Sequence, residues 1–402
     1  MSKHTYFTGQ PVLAQIIHLI PRSMVHRLAR RHGADRYCKS FFSWDHLIAM
    51  LYAHFSGCGS LREVITGLLA AEGKLRHLGL TRTPRRSTLS DANNRRPEQL
   101  FGDLYHQLAG RYFTGSPDSR SKNPPIYIAD STTISLFSDV MATAGRPGAD
   151  GRRKGGVKAH TLIRSDHNQP EFVVLTPASR HDTPFLRKLK LPKGSIICFD
   201  KGYVDYSLFA EWSTPDHPIG FVSRLRSNAA MELLEELPVS KADRAAGVLS
   251  DQRIMLGHTS HKQVQRFQAR LVCFRDSTSG KEFRFVSNLF THTSRHIADI
   301  YRQRWQIEGV FKRIKGAWPL RYFLGDSPNA IKIQIWCALI ADLLIQVLQR
   351  AHRRRWSYAN LRAMIRLHCF SYVRLGAFLA DPVKALLQQN SQQSYALSLF
   401  PT

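Results

Sequence analysis

Ile126-Tyr127-Ile128-Ala129-Asp130 is a run of β-branched and aromatic residues that closes on a carboxylate. Further along, Ser195-Ile196-Ile197-Cys198-Phe199-Asp200-Lys201-Gly202-Tyr203 repeats the arrangement. Both runs predict short buried strands. A carboxylate on an apolar strand is costly to bury unless a cation pairs with it. Either aspartate alone is explained as a turn or helix-cap residue; together they need a third partner to mean more.

That partner lies in Tyr301-x2-Arg304-x3-Glu308-x6-Lys315. A helix is expected from about Arg295 to Lys315. At about 100° per residue, these four side chains would fall within roughly 60° of one another along about 21 Å of axis. Ile300, Ile307, Phe311 and Ile314 would form the neighbouring apolar stripe that buries the helix. A plain solvated face would show a similar scatter of charge. The two strand-borne acids favour a site for phosphate and metal instead.

The three acids with the tyrosine–arginine–glutamate–lysine spacing resemble the DDE transposases of insertion-sequence family four, bacterial mobile-element enzymes. The likeness runs over most of the chain. It includes Ser43-Trp44-Asp45-His46-Leu47, Ser60-Leu61-Arg62-Glu63, Arg86-Ser87-Thr88-Leu89-Ser90-Asp91-Ala92-Asn93 and Gly156-Val157-Lys158-Ala159-His160. The resemblance implies an α/β fold: a ribonuclease-H-like catalytic core interrupted by a mostly β insertion, with helical N-terminal DNA-binding and helical C-terminal regions. It implies that Asp130, Asp200 and Glu308 are catalytic and hold two Mg²⁺ ions, with Mn²⁺ able to substitute. It also implies that Tyr301, Arg304 and Lys315 grip a DNA phosphate, and that excision passes through a hairpin.

Charge agrees with a polyanionic partner. The 402 residues carry 57 Lys and Arg against 30 Asp and Glu, a net +27, and counterion release would drive association with a phosphate backbone. Cys38, Cys58, Cys198, Cys273, Cys337 and Cys369 form no CxxC pair, so neither a zinc ribbon nor a disulfide framework is expected, and buried thiols suit a reducing cytoplasm. Met1 to Tyr6 lacks a signal-peptide pattern. The most apolar stretch, Ile335 to Leu348, contains Asp342 and Gln346 and reads as a core helix too short for a bilayer. A bacterial cytoplasmic protein without a membrane partner is expected.

The expected domains are 1–120, helical and DNA-binding; 121–225, the first part of the core; 226–290, a β-rich insertion; 291–320, the closing helix; and 321–402, helical, with a role in dimerisation. Helix-period apolar positions mark Val12 to Ile20, Trp44 to His54 and Leu61 to Ala71. Ser87 or Thr88 would cap a small helix limited by Pro97, whose Arg85, Arg86, Arg95 and Arg96 are candidate DNA contacts. A polar linker, Ser116 to Pro125, precedes the core. The loop from Gly145 to Gly156 adds Arg152, Arg153 and Lys154 as candidate phosphate contacts, with Lys158 just after it. Strands are expected at Val157 to Ile163, Glu171 to Thr176 and Ile219 to Arg226, with a turn at Asp166 to Pro170 between the first two. Asp182 reads as a helix cap before Pro184. Within the insertion, Arg253 to Leu256, Val264 to Phe274 and Glu282 to Ser287 alternate like strands. His160 and His181 are read as structural. Trp212, Phe267 and Phe274 are either core or acceptors for a flipped base. A Gln- and Ser-rich tail follows the basic Arg353-Arg354-Arg355-Trp356.

The partners expected are double-stranded DNA, both terminal inverted repeats and target, and a second copy in a synaptic complex. Two other functions share parts of the pattern. A ribonuclease-H-like nuclease without strand transfer would use the three acids but has no need of Tyr301, Arg304 and Lys315 in phase. A catalytically silent DNA-binding relative would tolerate loss of an acid, and all three are present.

Overall fold

The computed structural model describes residues 9–113, 124–135, 146–147, 153–154, 156–166, 169–216, 218–257, 259–260, 263–264, 266–318, 320, 323–352, 354–385 and 387. Most of the polar linker, Arg152, Arg353, parts of the turn after Asp166 and the Gln- and Ser-rich tail lie outside those residues. Of Arg153 and Lys154 only the backbone is described, in a two-residue ladder with Arg146 and Pro147.

The chain divides into two compact units, 1–112 with 314–402, and 113–313. In the first, helices α1 (Val12–Ile17), α2 (Arg22–Arg31), α3 (Ser43–Ser56), α4 (Leu61–Ala70), α5 (Arg86–Arg95) and α6 (Glu98–Phe113) follow one another. Composition explains α3: Trp44, Leu47, Ile48, Leu51 and Phe55 are all buried, and Gly57 ends the helix in the left-handed conformation, at φ 74°, where a Cβ would be penalised. The start of α5 differs from expectation. Arg85 occupies the cap position, and no side chain caps the helix.

In the second unit, nine strands form one sheet: β1 (Ile126–Ser135), β2 (Gly156–Arg164), β3 (Gln169–Pro177), β4 (Ile196–Phe199), β5 (Gly220–Arg224), β6 (Met231–Glu236), β7 (Val248–Leu256), β8 (Phe267–Arg275) and β9 (Glu282–Ser287). Their spatial order is β3-β2-β1-β4-β5-β9-β8-β7-β6. The first three pair antiparallel, and β1, β4 and β5 run parallel. This mixed five-stranded core is the ribonuclease-H-like arrangement. The strands of the insertion extend the same sheet, because β9 pairs antiparallel with β5. The exposed β6, which alternation in the sequence did not reveal, closes its edge.

Period-two alternation sends neighbouring side chains to opposite faces. Tyr127, Ala129, Ile197, Phe199, Phe221 and Val286 pack with Leu208, Phe209 and Trp212 of α7 (Tyr206–Trp212). Phe209 and Phe221 stand ring to ring at 4.6 Å. Trp212, Phe267 and Phe274 are all buried and serve as core. A short helix, α8 (Lys241–Ala245), lies within the insertion. The opposite face meets α9 (Ser294–Arg302), where Tyr301 stacks on Phe285 at 4.7 Å.

The expected single helix from Arg295 to Lys315 is two helices, α9 and α10 (Trp305–Ala317). Between them the amides of Arg304, Gln306 and Ile307 donate to carbonyls three residues back, at 3.0, 2.9 and 3.2 Å. This 3₁₀ spacing turns the chain faster than an α-helix, so the four signature residues do not share one stripe. The apolar stripe survives, and Ile300, Ile307, Phe311 and Ile314 are buried.

After α10 the chain returns to the first unit as α11 (Pro328–Ala351), α12 (Tyr358–Leu367) and α13 (Leu375–Ala380). At 24 residues, α11 is longer than its apolar stretch suggested, and it is long and apolar enough to cross a membrane on length and composition. Most of it is buried in the first unit, against α3, α5 and α12. Its Asp342 accepts hydrogen bonds from Gln346 and Tyr358, so even its charged residue is satisfied internally.

Two buried histidines make this unit sensitive to acid. Burial, helped by Arg96, pushes His46 down to about 3, and burial pushes His54 down to about 4. The unfolded chain would protonate both near 6.5. Below that value the unfolded state binds protons that the folded state refuses, so stability is full above about pH 6.5 and falls as the pH drops. The melting temperature is expected to be lower at pH 5 than at pH 7.5, with a flatter decline in His54→Gln. An unchanged melting temperature would contradict the neutral buried state.

Candidate active site

The register of two parallel strands builds the site. β1 and β4 pair Ile126 with Ile196 and so on to Ala129 with Phe199. One step further sets Asp130 beside Asp200, on strands that lie about 4.8 Å apart. Ile128 and Cys198 share their parity, so both carboxylates face the side covered by α9. Asp130 is not at the end of its strand, as its run of residues suggested. Thr132, Thr133 and Ile134 continue the β-branched pattern, and pairing with β2 carries β1 on to Ser135. Asp200 does follow immediately after β4.

Cations answer this crowding. Arg304 spans two of the acids: its Nη1 donates to Asp130 Oδ2 at 3.0 Å and its Nη2 to Glu308 Oε1 at 2.7 Å. Its Nε has no partner among the described residues. Arg224 donates to Asp200 Oδ1 from Nε at 3.0 Å and from Nη2 at 2.8 Å. The Tyr301 hydroxyl donates to the same oxygen at 3.2 Å. The 3₁₀ turn thus splits the signature, directing Tyr301 to Asp200 and Arg304 to Asp130 and Glu308. Lys315 lies further along α10, and burial lowers its pKa.

The two aspartates titrate apart. Burial raises Asp130 to about 6, against the pull of the Ser131 amide and Arg304 and with a push from Asp200 and Glu308. Burial also opposes ionisation of Asp200, but Arg224 outweighs it and holds that carboxyl below the usual range. Burial first, then Asp200, raises the Tyr301 hydroxyl well above its ordinary value, so it remains a donor at neutral pH. Among the described residues, no group of three His, Cys, Asp or Glu side chains stands ready-spaced around a metal position; guanidinium groups fill the space between the acids. The donor chemistry still suits a hard divalent cation, since three carboxylates offer only oxygen.

A fourth carboxylate supports this centre from the other face. Asp182 occupies the cap position of the 3₁₀ turn at Thr183–Lys188, as expected, but its side chain makes no capping hydrogen bond. Its Oδ1 accepts from Lys158 Nζ at 2.9 Å and from Ser131 Oγ at 3.0 Å, and the Ser131 amide donates to Asp130 Oδ1 at 2.8 Å. Lys158 is 2% exposed, so it is a buried ion-pair partner and not a surface contact for DNA. His160 stacks on Phe185 at 5.3 Å and bonds Thr176, a structural placement; His181 lines a small cavity nearby.

Sequence reasoning overlooked Arg224 and Trp305 and misread Asp182. Arg224 had a signal: β4 and β5 are parallel and in register, Phe199 beside Ser223, so the next residues are an acid and a base side by side. Asp182 had none, because its partners are distant in sequence. Trp305, whose indole is 62% exposed beside Arg304, was hidden inside the signature.

Residues 121–344 match the transposase DDE domain family. The chain belongs to the DDE transposases. Residues 8–81 match a domain of unknown function. Among curated relatives, this transposase is 28% identical over 272 residues to "Putative transposase y4zB" of Sinorhizobium fredii, covering 67% of the chain and 73% of that protein. It is 28% identical over 253 residues to "Probable transposase for insertion sequence element IS5377" of Geobacillus stearothermophilus, covering 62% of each. A third, from Synechocystis, is "Putative transposase for insertion sequence element IS4SA", at 24% over 271 residues, covering 65% of the chain and 71% of that protein. Among solved structures, the piggyBac transposase synaptic complex with hairpin DNA aligns at 10% identity with a TM-score of 0.47, over 100% of this chain and 88% of that one, too loosely to carry an inference. The transposase acts on DNA, as its family does, and the sequence-level resemblance to DDE transposases is borne out.

Removing one partner of a buried ion pair strands the other. Asp182→Ala is expected to lower the unfolding free energy by about 3–5 kcal/mol, read by urea denaturation. A loss below about 1 kcal/mol, the scale of an exposed pair, would show that Lys158 reaches solvent.

Proposed function

We propose that this transposase binds the terminal inverted repeats of its own insertion sequence, cuts the double-stranded DNA there and joins the freed end to target DNA. The observation that carries this reading is the trio of Asp130, Asp200 and Glu308, tied into one cluster by Arg304 and backed by Arg224. Such a cluster can exchange its cationic partners for others. Asp130, Asp200 and Glu308 would hold a pair of divalent ions, Mg²⁺ with Mn²⁺ as a substitute, whose chemistry is to activate an oxygen nucleophile and neutralise charge on the attacked and leaving oxygens.

The remaining steps belong to the chain's own side chains. Burial raises Asp130 to about 6, so at neutral pH it can join Asp200 as a carboxylate ligand. Arg304 has the fork geometry to bind a phosphate oxygen bidentately, and Tyr301 keeps its hydroxyl proton for donation beside it. Lys315 adds a point charge. Together these three would hold the strand opposite the first nick, while the 3′-hydroxyl attacks it to close a hairpin. Hairpin opening and strand transfer would reuse the same acids. The excess of basic residues supports retention on DNA between steps, and pairing of two element ends calls for a second copy, with the C-terminal helices as its contact. A chromosomal DNA substrate would call for a bacterial cytoplasmic protein, acting at the nucleoid.

With Mg²⁺ and a duplex of the element end joined to flanking DNA, a denaturing gel is expected to show a 3′ nick followed by a hairpin. Asp130→Ala, Asp200→Ala and Glu308→Ala should abolish both products and retain DNA binding. Cutting without a hairpin would favour a simpler ribonuclease-H-like nuclease, and binding without cutting a silent relative. Arg304→Ala should slow hairpin formation more than the first nick; equal slowing of both would remove its strand-positioning role. Mg²⁺ should also raise the melting temperature of the intact chain and not that of Asp130→Asn. An equal rise in both would take Asp130 out of the metal site.

A further inference from the structure

In the helical unit, the segment joining α2 to α3 holds a bulky residue in a conformation that favours glycine. Tyr37 has φ 62°, a left-handed value shared by no other non-glycine among the described residues. It is also 83% exposed. A strained backbone persists only where its surroundings over-determine it, and here they do. The buried Arg96, 4% exposed, donates from Nη2 to the Phe41 carbonyl and faces Asp35 at 3.6 Å. The Ser43 amide and hydroxyl both donate to Asp35 Oδ1 at 2.7 Å. Arg96 is therefore a strut inside the unit, which corrects its reading as a surface DNA contact. Burying a tyrosine could repay strain at its backbone, but this ring is exposed, with the Arg36 guanidinium over it at 5.0 Å.

Around the ring lies a cleft of about 310 Å³ between this loop and α5, with Arg36, Lys39 and Arg95 on its walls. Asp91 is there too, paired with Arg95 at 3.3 Å. A second cleft of about 390 Å³ shares Ser40, Phe41 and Thr88 with the first and adds Arg82 and Arg85, with Asp45 tied to the Phe42 amide. These five cations thus line the two clefts against two carboxylates, beside an exposed aromatic. Clustered cations with an exposed ring among them are the chemistry of a nucleic-acid backbone site.

We infer that the α2–α3 loop and α5 form a site for the backbone of duplex DNA, in which Arg36, Lys39 and Arg95 bind phosphates and Tyr37 packs against the sugar–base edge. This rests on the reading of the chain as a DNA-binding transposase and assigns the contact to a loop that the sequence did not single out. Because the loop is built before DNA arrives, Tyr37 is presented without an ordering cost on binding.

The test uses the full-length chain and a mixed-sequence DNA duplex, with affinity measured across a salt series. Arg36→Ala with Lys39→Ala should weaken binding and flatten the dependence of log K on log salt by about 1–2, since each phosphate contributes roughly 0.9. Lys190→Ala with Lys193→Ala removes the same charge from exposed positions in the other unit and should leave affinity within about twofold of wild type, since a lysine that meets no phosphate releases no counterion. Tyr37→Gly is the decisive variant, because glycine accepts the left-handed backbone and the change is charge-neutral. Its melting temperature should be unchanged or higher while affinity falls roughly fivefold or more, the scale of losing the partial burial of an aromatic side chain. Wild-type affinity and salt slope in the loop variants would overturn the site and leave DNA binding standing. A loss in Tyr37→Gly that tracks a lowered melting temperature would reduce the tyrosine to a structural residue and overturn its contact. An intact chain that fails to bind the duplex would overturn both readings.

Discussion

Two carboxylates held side by side by strand register set the terms for the rest of the catalytic unit. Asp130 and Asp200 cannot move apart, because the parallel ladder from Ile126 with Ile196 to Ala129 with Phe199 fixes their spacing. Their repulsion must be answered by cations, and the fold supplies these from separate sources. Arg224 comes from the next strand in register, and Arg304 comes from the 3₁₀ turn between α9 and α10. The difference between the aspartates follows from this supply. Asp200 receives a two-pronged guanidinium and a hydroxyl, whereas Asp130, more deeply buried, receives one arm of an arginine shared with Glu308. Arg224 holds one acid below the usual carboxylate range, and burial raises its neighbour to about 6.

The break between α9 and α10 is the second organising feature. A continuous helix would have presented Tyr301, Arg304 and Glu308 as one row. The tighter turn lets Tyr301 remain packed on Phe285 while Arg304 reaches across to β1. Signature spacing in the sequence therefore encodes a kinked ladder rather than a straight stripe, and the carbonyls three residues back take up the backbone donors released there.

Much of the core was legible in the sequence because its cause is local. Runs such as Ile196 to Phe199 can only be buried strands, and the acids that follow them inherit their positions from period-two alternation. Ile300, Ile307, Phe311 and Ile314 announced a buried helix face in the same way. What remained hidden depends on partners distant along the chain. Lys158 looks like a surface cation until Asp182 and the Arg180 carbonyl are brought to it, and Arg96 looks like a groove reader until the loop from Asp35 to Phe41 closes over it. The helix break was illegible because no proline or glycine marks it, and β6 because Met231 to Glu236 carries no buried face.

The insertion's strands do not stand apart from the core; they continue its hydrogen-bonded lattice, β9 bonded to β5 and β6 at the far margin with Glu232, Glu235 and Glu236 exposed. Excising residues 226–290 to obtain a minimal catalytic fragment would thus do more than shorten the chain. It would strip β5 of its neighbour and uncover a row of unsatisfied amides and carbonyls beside the acids, a template for pairing with other chains. The acidic outer strand is a terminator of the sheet, and a trimmed fragment would need a new one designed in its place.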